Sequence, residues 1–415
     1  MIRILEKTNC CGCAACVQRC PRKCISLFED EEGFLYPTTD KSICNNCGLC
    51  SRVCPVLQQS PPLTPLDVFA TKNPDESVRR KSSSGGIFRL LAEKTIDAGG
   101  VVFGVKWNEN FEAVHSYTET NEDLIEFQGS KYVQSRVGET FQQTENFLKQ
   151  GRQVLYVGTP CQIAGLKLFL RKDYDNLLAV DFICHGTPSP GVFRWYMGEL
   201  LADLFSKPKK SRRDILPISQ IPSVGISAKG IGCRIHSINF RDKVSGWKEY
   251  SFTLEYSTLI SGRKRRVSYN KGTQPFMSGF LQNLYLRPSC YACPAKSGKS
   301  NSDLTLGDYW KISSLYPELD DDMGVSSVCC NTTKGRDILS QLGIQLYHTT
   351  YEDLCKRNSS IIRACKEPKK RSVFFAQKGR TFKRVIAKLC KPSLTVRTKI
   401  TLKRLLDLRK KKVKK

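Results

Sequence analysis

No stretch of 18 or more apolar residues occurs in this 415-residue chain, so its sequence offers no helix able to span a bilayer. No secretory leader is expected either, since Met1-Ile2-Arg3-Ile4-Leu5 runs almost directly into Cys10. Acidic residues are scarce at the far end. From Lys366 to Lys415, 20 Lys and Arg face only Glu367 and Asp407, so this segment carries +18 of the formal +27. The basicity therefore belongs mainly to the tail and says little about the chemistry of the rest. Few aromatics accompany that charge and no nucleic-acid motif appears, which disfavours nucleic acid as the partner.

Cysteine is plentiful, at 20 residues. Cys10, Cys13, Cys16 and Cys20 follow C-x2-C-x2-C-x3-C with Pro21 next, and Cys44, Cys47, Cys50 and Cys54 repeat the spacing with Pro55. Three evenly stepped thiolates wrap one cubane 4Fe-4S cluster. The fourth cysteine of each run crosses to the other cluster. The spacing assigns Cys10, Cys13, Cys16 and Cys54 to one cluster, and Cys44, Cys47, Cys50 and Cys20 to the second. Zinc knuckles pair two C-x2-C elements across a longer gap, and neither they nor disulfides account for Cys-Pro closing both runs. Ligand thiolates must stay reduced, which points to a cytoplasmic setting. Cys11 and Cys24 fall outside the pattern and read as packing thiols.

The length suggests two or three domains. Residues 1–57 form the two-cluster module, with a hairpin expected around Glu31-Glu32-Gly33, and the proline-rich stretch 58–65 reads as an extended linker. Ser82-Ser83-Ser84-Gly85-Gly86 opens an expected helix through Ile87, Leu91 and Ile96, followed by a buried strand at Val101–Val105. Val154–Val157 reads as a strand that Gly158-Thr159-Pro160-Cys161 turns into a helix, with Thr159 at the N-cap and Pro160 at the first helical position. A second strand, Leu177–Ile183, ends at Cys184-His185-Gly186. Strand, helix, strand implies a right-handed parallel unit, which sets Cys161 and Cys184 on the carboxyl edge where open sheets bind ligands. His185 there could position a proton or simply pack.

Alternating apolar and polar residues between Ile215 and Tyr269 predict antiparallel strands, and Lys207–Arg213 and Arg263–Arg266 read as solvated basic loops. Cys290 and Cys293 form a further C-x2-C pair, which could be half a zinc site or a redox dithiol. With Cys161 and Cys184 it makes four thiols, enough for a third 4Fe-4S cluster. Beyond Ser359, Phe382, Val385, Ile386 and Leu389, and later Ile400, Leu402, Leu405, Leu406 and Leu408, are interleaved with Lys and Arg. That pattern suits a basic amphipathic helix over 359–415 that could rest on an anionic inner membrane surface, or a solvated tail.

Taken together, Ser82–Gly86, Gly129–Ser135, Val157–Gln162, Asp181–Gly186, Arg287–Cys293 and Asp303–Trp310 resemble the beta subunit of coenzyme F-420-reducing hydrogenase and formate dehydrogenase, over roughly 66–345. The resemblance implies an N-terminal part at 66–148 and a C-terminal part at 149–345, binding FAD beside a 4Fe-4S cluster. Cys161, Cys184, Cys290 and Cys293 would be that cluster's ligands. Ser84, Gly85 and Gly86 would line the flavin, helped by Lys131, Tyr132 and Thr159. The expected fold is α+β and multidomain: a ferredoxin-like module, an α/β flavin-binding domain with an antiparallel portion, and a basic helical tail. The expected function is an oxidoreductase relaying electrons between a ferredoxin-type partner, clusters, FAD and an organic acceptor, deazaflavin or other. The alternative is a non-catalytic electron-transfer subunit of a larger redox complex.

Overall fold

The computed structural model describes residues 2–4, 6–205, 233–258, 262–377 and 379–391. The basic loop expected at 207–213, the start of the alternating stretch, and the tail's apolar residues from Ile400 onward lie outside these residues.

Two short strands, β1 (Ile25–Glu29) and β2 (Leu35–Thr39), pair antiparallel across the expected hairpin, with Ile25 opposite Thr39. Eight further strands build one mixed sheet: β3 (Asp67–Thr71), β4 (Val101–Trp107), β5 (Ala113–Thr118), β6 (Val154–Gly158), β7 (Leu177–Phe182), β11 (Leu304–Asp308), β12 (Ser326–Cys330) and β13 (Tyr347–Thr349). Their order across the sheet is β13-β3-β12-β11-β7-β6-β4-β5. The centre, β11-β7-β6-β4, is parallel, whereas both flanks are antiparallel. Covered on both faces, β6 is an apolar run, Val154-Leu155-Tyr156-Val157. The sheet runs continuously across residue 148, drawing β3, β4 and β5 from one side and the other five strands from beyond it.

The expected parallel unit is present. Helix Pro160–Leu170 connects β6 to β7, which lie side by side with Val154 opposite Leu177. The capping follows from the residues: Thr159 is the extended N-cap, Pro160 begins the helix, and Gln162 Oε1 accepts from the Thr159 amide at 2.9 Å. A separate antiparallel sheet of β8 (Cys233–Asp242), β9 (Ser251–Thr258) and β10 (Lys264–Asn270) stands beside the main one. Here Arg263–Arg266 is no loop, since Lys264 to Arg266 belong to the edge strand β10.

The cysteine-rich module is held hard against the rest. Arg371 forms a buried bidentate pair with Glu32 in the hairpin turn, at 2.7 Å to Oε1 and closer still to Oε2. Arg194 pairs with Glu29, and Gln142 Nε2 donates to the Gln18 carbonyl at 2.6 Å. Gly165 on helix Pro160–Leu170 permits a close approach, because a Cβ there would lie 2.9 Å from Cys13 Sγ.

The start of the tail corrects an expectation. Helix Phe382–Leu389 exists and is amphipathic, but Phe382, Val385, Ile386 and Leu389 are buried in the aromatic core with Trp195, Tyr196, Phe276 and Tyr285. That apolar face is consumed by the protein, so it is not free to lie on a membrane. Among the described residues no helix is long and apolar enough to cross one.

Candidate functional site

In each cysteine run a left-handed residue, Ala14 at φ 59° and Gly48 at φ 75°, tips the chain into a single helical turn carrying Cys16 or Cys50. The loops bring the expected partners together. Cys16 lies within electrostatic reach of Cys10 and Cys54, and Cys13 of Cys16 and Cys54. Backbone amides aim at sulfur as a cluster requires: Ile2 N lies 3.2 Å from Cys50 Sγ, and Asn46 N lies 3.4 Å from Cys44 Sγ. The two supernumerary thiols sit beside ligand positions. Cys24 Sγ is 3.4 Å from Cys20 Sγ, while Cys11 contacts both Cys13 and Cys161.

Arg287 joins this module to the large sheet. Its guanidinium is buried, donates from Nε to the Cys10 carbonyl at 2.6 Å and from Nη2 to Cys10 Sγ at 3.3 Å, and stacks 4.2 Å from the Tyr36 ring. Three residues on is Cys290, in the turn Pro288–Ala292.

The later four thiols converge. Cys161 occupies the first turn of helix Pro160–Leu170, Cys184 follows β7, and Cys184, Cys290 and Cys293 each lie within electrostatic reach of Cys161. Thr187 N approaches Cys290 Sγ at 3.4 Å, and Thr159 Oγ1 approaches Cys161 Sγ at 3.3 Å. Lys296 brings positive charge beside Cys184 and Cys293. Burial pushes the Cys184 and Cys290 thiols up, and Cys293 up to about 12. Four buried sulfurs can be thiolates together only around cationic metal. Among the described residues no three His, Cys, Asp or Glu groups converge on a point that a single ion would fill. A cubane differs, since each of its sulfur ligands binds a separate iron at a corner, and this donor set fits that group.

Next to these thiols a cavity of about 430 Å³ opens at the carboxyl edge of the parallel strands. Its walls take Val105 from β4, Val157 from β6, Phe182 from β7 and Leu306 to Asp308 from β11. Ser84, Gly86, Lys131, Tyr132 and Thr159 all line it, as does Cys184. Gly85 does not: it is turned into the protein, its amide bonded to Ser326 Oγ at 3.0 Å, and a Cβ there would lie 2.7 Å from Ser326 N. Lys131 spends its ammonium on the Glu126 and Gln128 carbonyls at 2.7 and 3.0 Å, and desolvation pushes its pKa down to about 7. His185 lines the cavity but is tied to Asn283 Oδ1 at 2.7 Å, and burial lowers its pKa.

The sequence reading missed a second group in this wall. Arg241 on β8 is buried and paired with Asp308 at 2.9 Å, donates to Tyr132 Oη at 3.2 Å, and lies 4.3 Å from the Tyr250 ring. Trp310 stacks on Trp247 at 4.6 Å, and Trp247 Nε1 donates to Asp308 Oδ1 at 3.1 Å. Asp308 and Trp310 fall in a motif singled out above, but nothing local marks Arg241. Asp181, in the cavity floor, has an Oδ1 without a hydrogen-bond partner, and burial raises its pKa to about 6.

The fold is mixed α/β, and its cysteine-rich end has the spacing of a 4Fe-4S dicluster module. A 4Fe-4S dicluster domain family matches residues 9–57, and the family of the carboxyl-terminal part of the coenzyme F-420 hydrogenase/dehydrogenase beta subunit matches residues 151–206. The chain is thus similar to these beta subunits over that segment, with the match to the dicluster domain lying ahead of it. It is 25% identical over 194 residues to the F subunit of the F(420)H(2) dehydrogenase of Methanosarcina mazei, covering 44% of this chain and 54% of that relative. The chain thus spans about half the length of the relative it matches. A chain of the F-420-reducing NiFe hydrogenase complex from Methanosarcina barkeri superposes with a TM-score of 0.41 at 15% identity, over 71% of this chain and 86% of that one.

Proposed function

We propose that this protein is a flavin- and iron–sulfur-dependent oxidoreductase that exchanges electrons between a ferredoxin-type protein and an organic molecule in the cavity. The observation that carries this reading is an adjacency. Cys184, one of four converging thiols, itself lines the cavity, and so does Thr187, whose amide approaches Cys290 Sγ at 3.4 Å. A cavity of about 430 Å³ with an apolar lining and a few fixed polar groups is of the kind that takes a cofactor or small ligand. When bound, clusters carry single electrons, whereas a flavin collects two and can exchange a hydride with an organic partner.

The chain's own residues would do the rest. Cys161, Cys184, Cys290 and Cys293 would hold the third cluster, with the Thr187 amide and Lys296 offsetting its negative charge. Ser84 and Gly86 would give a flat ligand close access to backbone, while Tyr132, Tyr250 and Trp310 keep water from one side. The Arg241–Asp308 pair fixes those rings in place. The names of the relatives suggest a deazaflavin as the organic partner, which joins the proposal as the first acceptor class to test.

The test is flavin extraction after anaerobic purification, on wild type and on Ser84→Trp, which would fill the cavity. Wild type should release flavin, and the variant should lose it while keeping its iron. Wild type without flavin would leave an electron carrier and refute the oxidoreductase reading.

A further inference from the structure

Of the twelve candidate cluster thiols only Cys47 is exposed; the others are half-buried or buried. Electron exchange between proteins weakens steeply with distance, so the entry point should be where a cluster nears the surface. That point is the set Cys20, Cys44, Cys47 and Cys50. Its rim is one continuous surface, since the Asp40 amide donates to the Cys24 carbonyl at 2.8 Å and the Cys44 amide to the Asp40 carbonyl at 3.2 Å. Lys23 and Lys41 thus flank the bonded pair Cys24 and Asp40 in sequence, and Arg52 reaches round to the Cys47 carbonyl at 2.9 Å. Arg22, Lys23, Lys41 and Arg52 are exposed, and Ile43, 43% exposed, stands among them beside Cys44.

The charge on this rim is not neutralised from within. Arg22, Lys23 and Lys41 make no ion pair with any described residue, whereas Lys7 on the same module is held by Asp30 at 2.7 Å and by Glu31. The one acid among residues 20–24 and 40–54 is Asp40, whose carboxylate is taken up by Ser42 at 2.6 and 2.9 Å. The rival basic surface, Lys264 to Arg266, lies on an edge strand, where cations block strand pairing, and its Arg266 is paired with Asp242. An apolar spot ringed by free cations beside an exposed cluster ligand has the anatomy of a small, steered interface.

We propose that this rim docks a small acidic electron-carrier protein, an inference that rests on reading Cys20, Cys44, Cys47 and Cys50 as cluster ligands. Charge complementarity would set the encounter rate and orientation, and Ile43 would supply the central contact.

The experiment measures binding of an acidic bacterial-type ferredoxin to the anaerobically purified full chain across a salt series, with iron content determined for every variant. Wild-type affinity should fall as salt rises. Arg22→Glu/Lys23→Glu/Lys41→Glu should weaken binding at low salt by at least about tenfold and flatten the salt dependence. Lys264→Glu/Arg265→Glu should bind as wild type does. If the triple reversal loses iron, the milder Arg22→Gln/Lys41→Gln carries the test, with a smaller loss expected. Unchanged affinity in an iron-replete rim variant, or loss confined to the β10 variant, would overturn the proposal. Wild type without iron would instead refute the ligand assignment, and a normal iron content keeps the two failures apart.

Discussion

Arg287 Nη2 lies 3.3 Å from Cys10 Sγ, so a buried cation from the large sheet's side of the molecule donates directly to a proposed ligand sulfur of the ferredoxin-type module. Donors to ligand sulfur favour the reduced, more negative cluster and so raise its potential. Arg287→Gln should lower the potential of the Cys10 cluster. A charge-assisted hydrogen bond worth roughly 1.5–3 kcal/mol, at about 59 mV per tenfold for one electron, sets a ceiling of ~130 mV. An EPR-monitored redox titration measures the shift. An unchanged potential with intact iron content would show that the contact only fastens the module.

Much of this was legible beforehand. The dicluster module, the parallel unit around Pro160–Leu170 and the N-cap at Thr159 all follow from local spacing and capping chemistry. Other parts were not, because their signals are non-local. Strand β12 is Ser-Ser-Val-Cys-Cys, polar enough to hide a fully buried strand between two neighbours far off in sequence. Arg241 looks like one more surface cation until Asp308 and Tyr250 are brought around it. Gly85 shares the Ser-Gly composition of its loop, and only the fold decides that it faces Ser326 instead of the cavity. The helix Phe382–Leu389 has the periodicity of an interfacial helix, and periodicity alone cannot say whether lipid or protein covers the apolar face.

The Glu32–Arg371 pair clamps the module close to Arg287, since Arg371 also donates to the Leu286 carbonyl at 3.3 Å, and both partners are buried. Removing one partner leaves a buried charge unpaired, so Arg371→Ala should cost about 3–5 kcal/mol. Thermal unfolding should show a large drop in Tm for Arg371→Ala. The double variant Glu32→Gln/Arg371→Met should recover most of it, since neither charge is then stranded.

Gly165 allows helix Pro160–Leu170 and Cys13 to touch, and a Cβ would stand 2.9 Å from Cys13 Sγ and 3.0 Å from its Cβ. Gly165→Ala should therefore cost about 1–3 kcal/mol of overpacking despite the better helix propensity of alanine. It should also broaden the EPR signal of the neighbouring cluster. Gain in Tm with an unaltered spectrum would contradict this packing.

Asp181 makes a pH prediction. Its folded pKa is raised from 3.8 to about 6 by burial, so between those values the folded state holds more protons than the unfolded one. Stability from this group is complete below pH 3.8 and declines as pH rises through 6. Asp181→Asn should remove that decline and stabilise the protein at pH 7 by roughly 3 kcal/mol or less. Denaturant unfolding at pH 4.5 and 7 would check it, using ~1.4 kcal/mol per pKa unit as the scale.

The central claim is that Cys161, Cys184, Cys290 and Cys293 hold a third cluster next to the cavity. Iron and acid-labile sulfide per chain test it most directly, measured after strictly anaerobic purification of wild type and of Cys290→Ser/Cys293→Ser. Three cubanes predict about twelve irons in wild type and about eight in the variant, with the ferredoxin-type signals retained. About eight irons in both proteins would contradict the account.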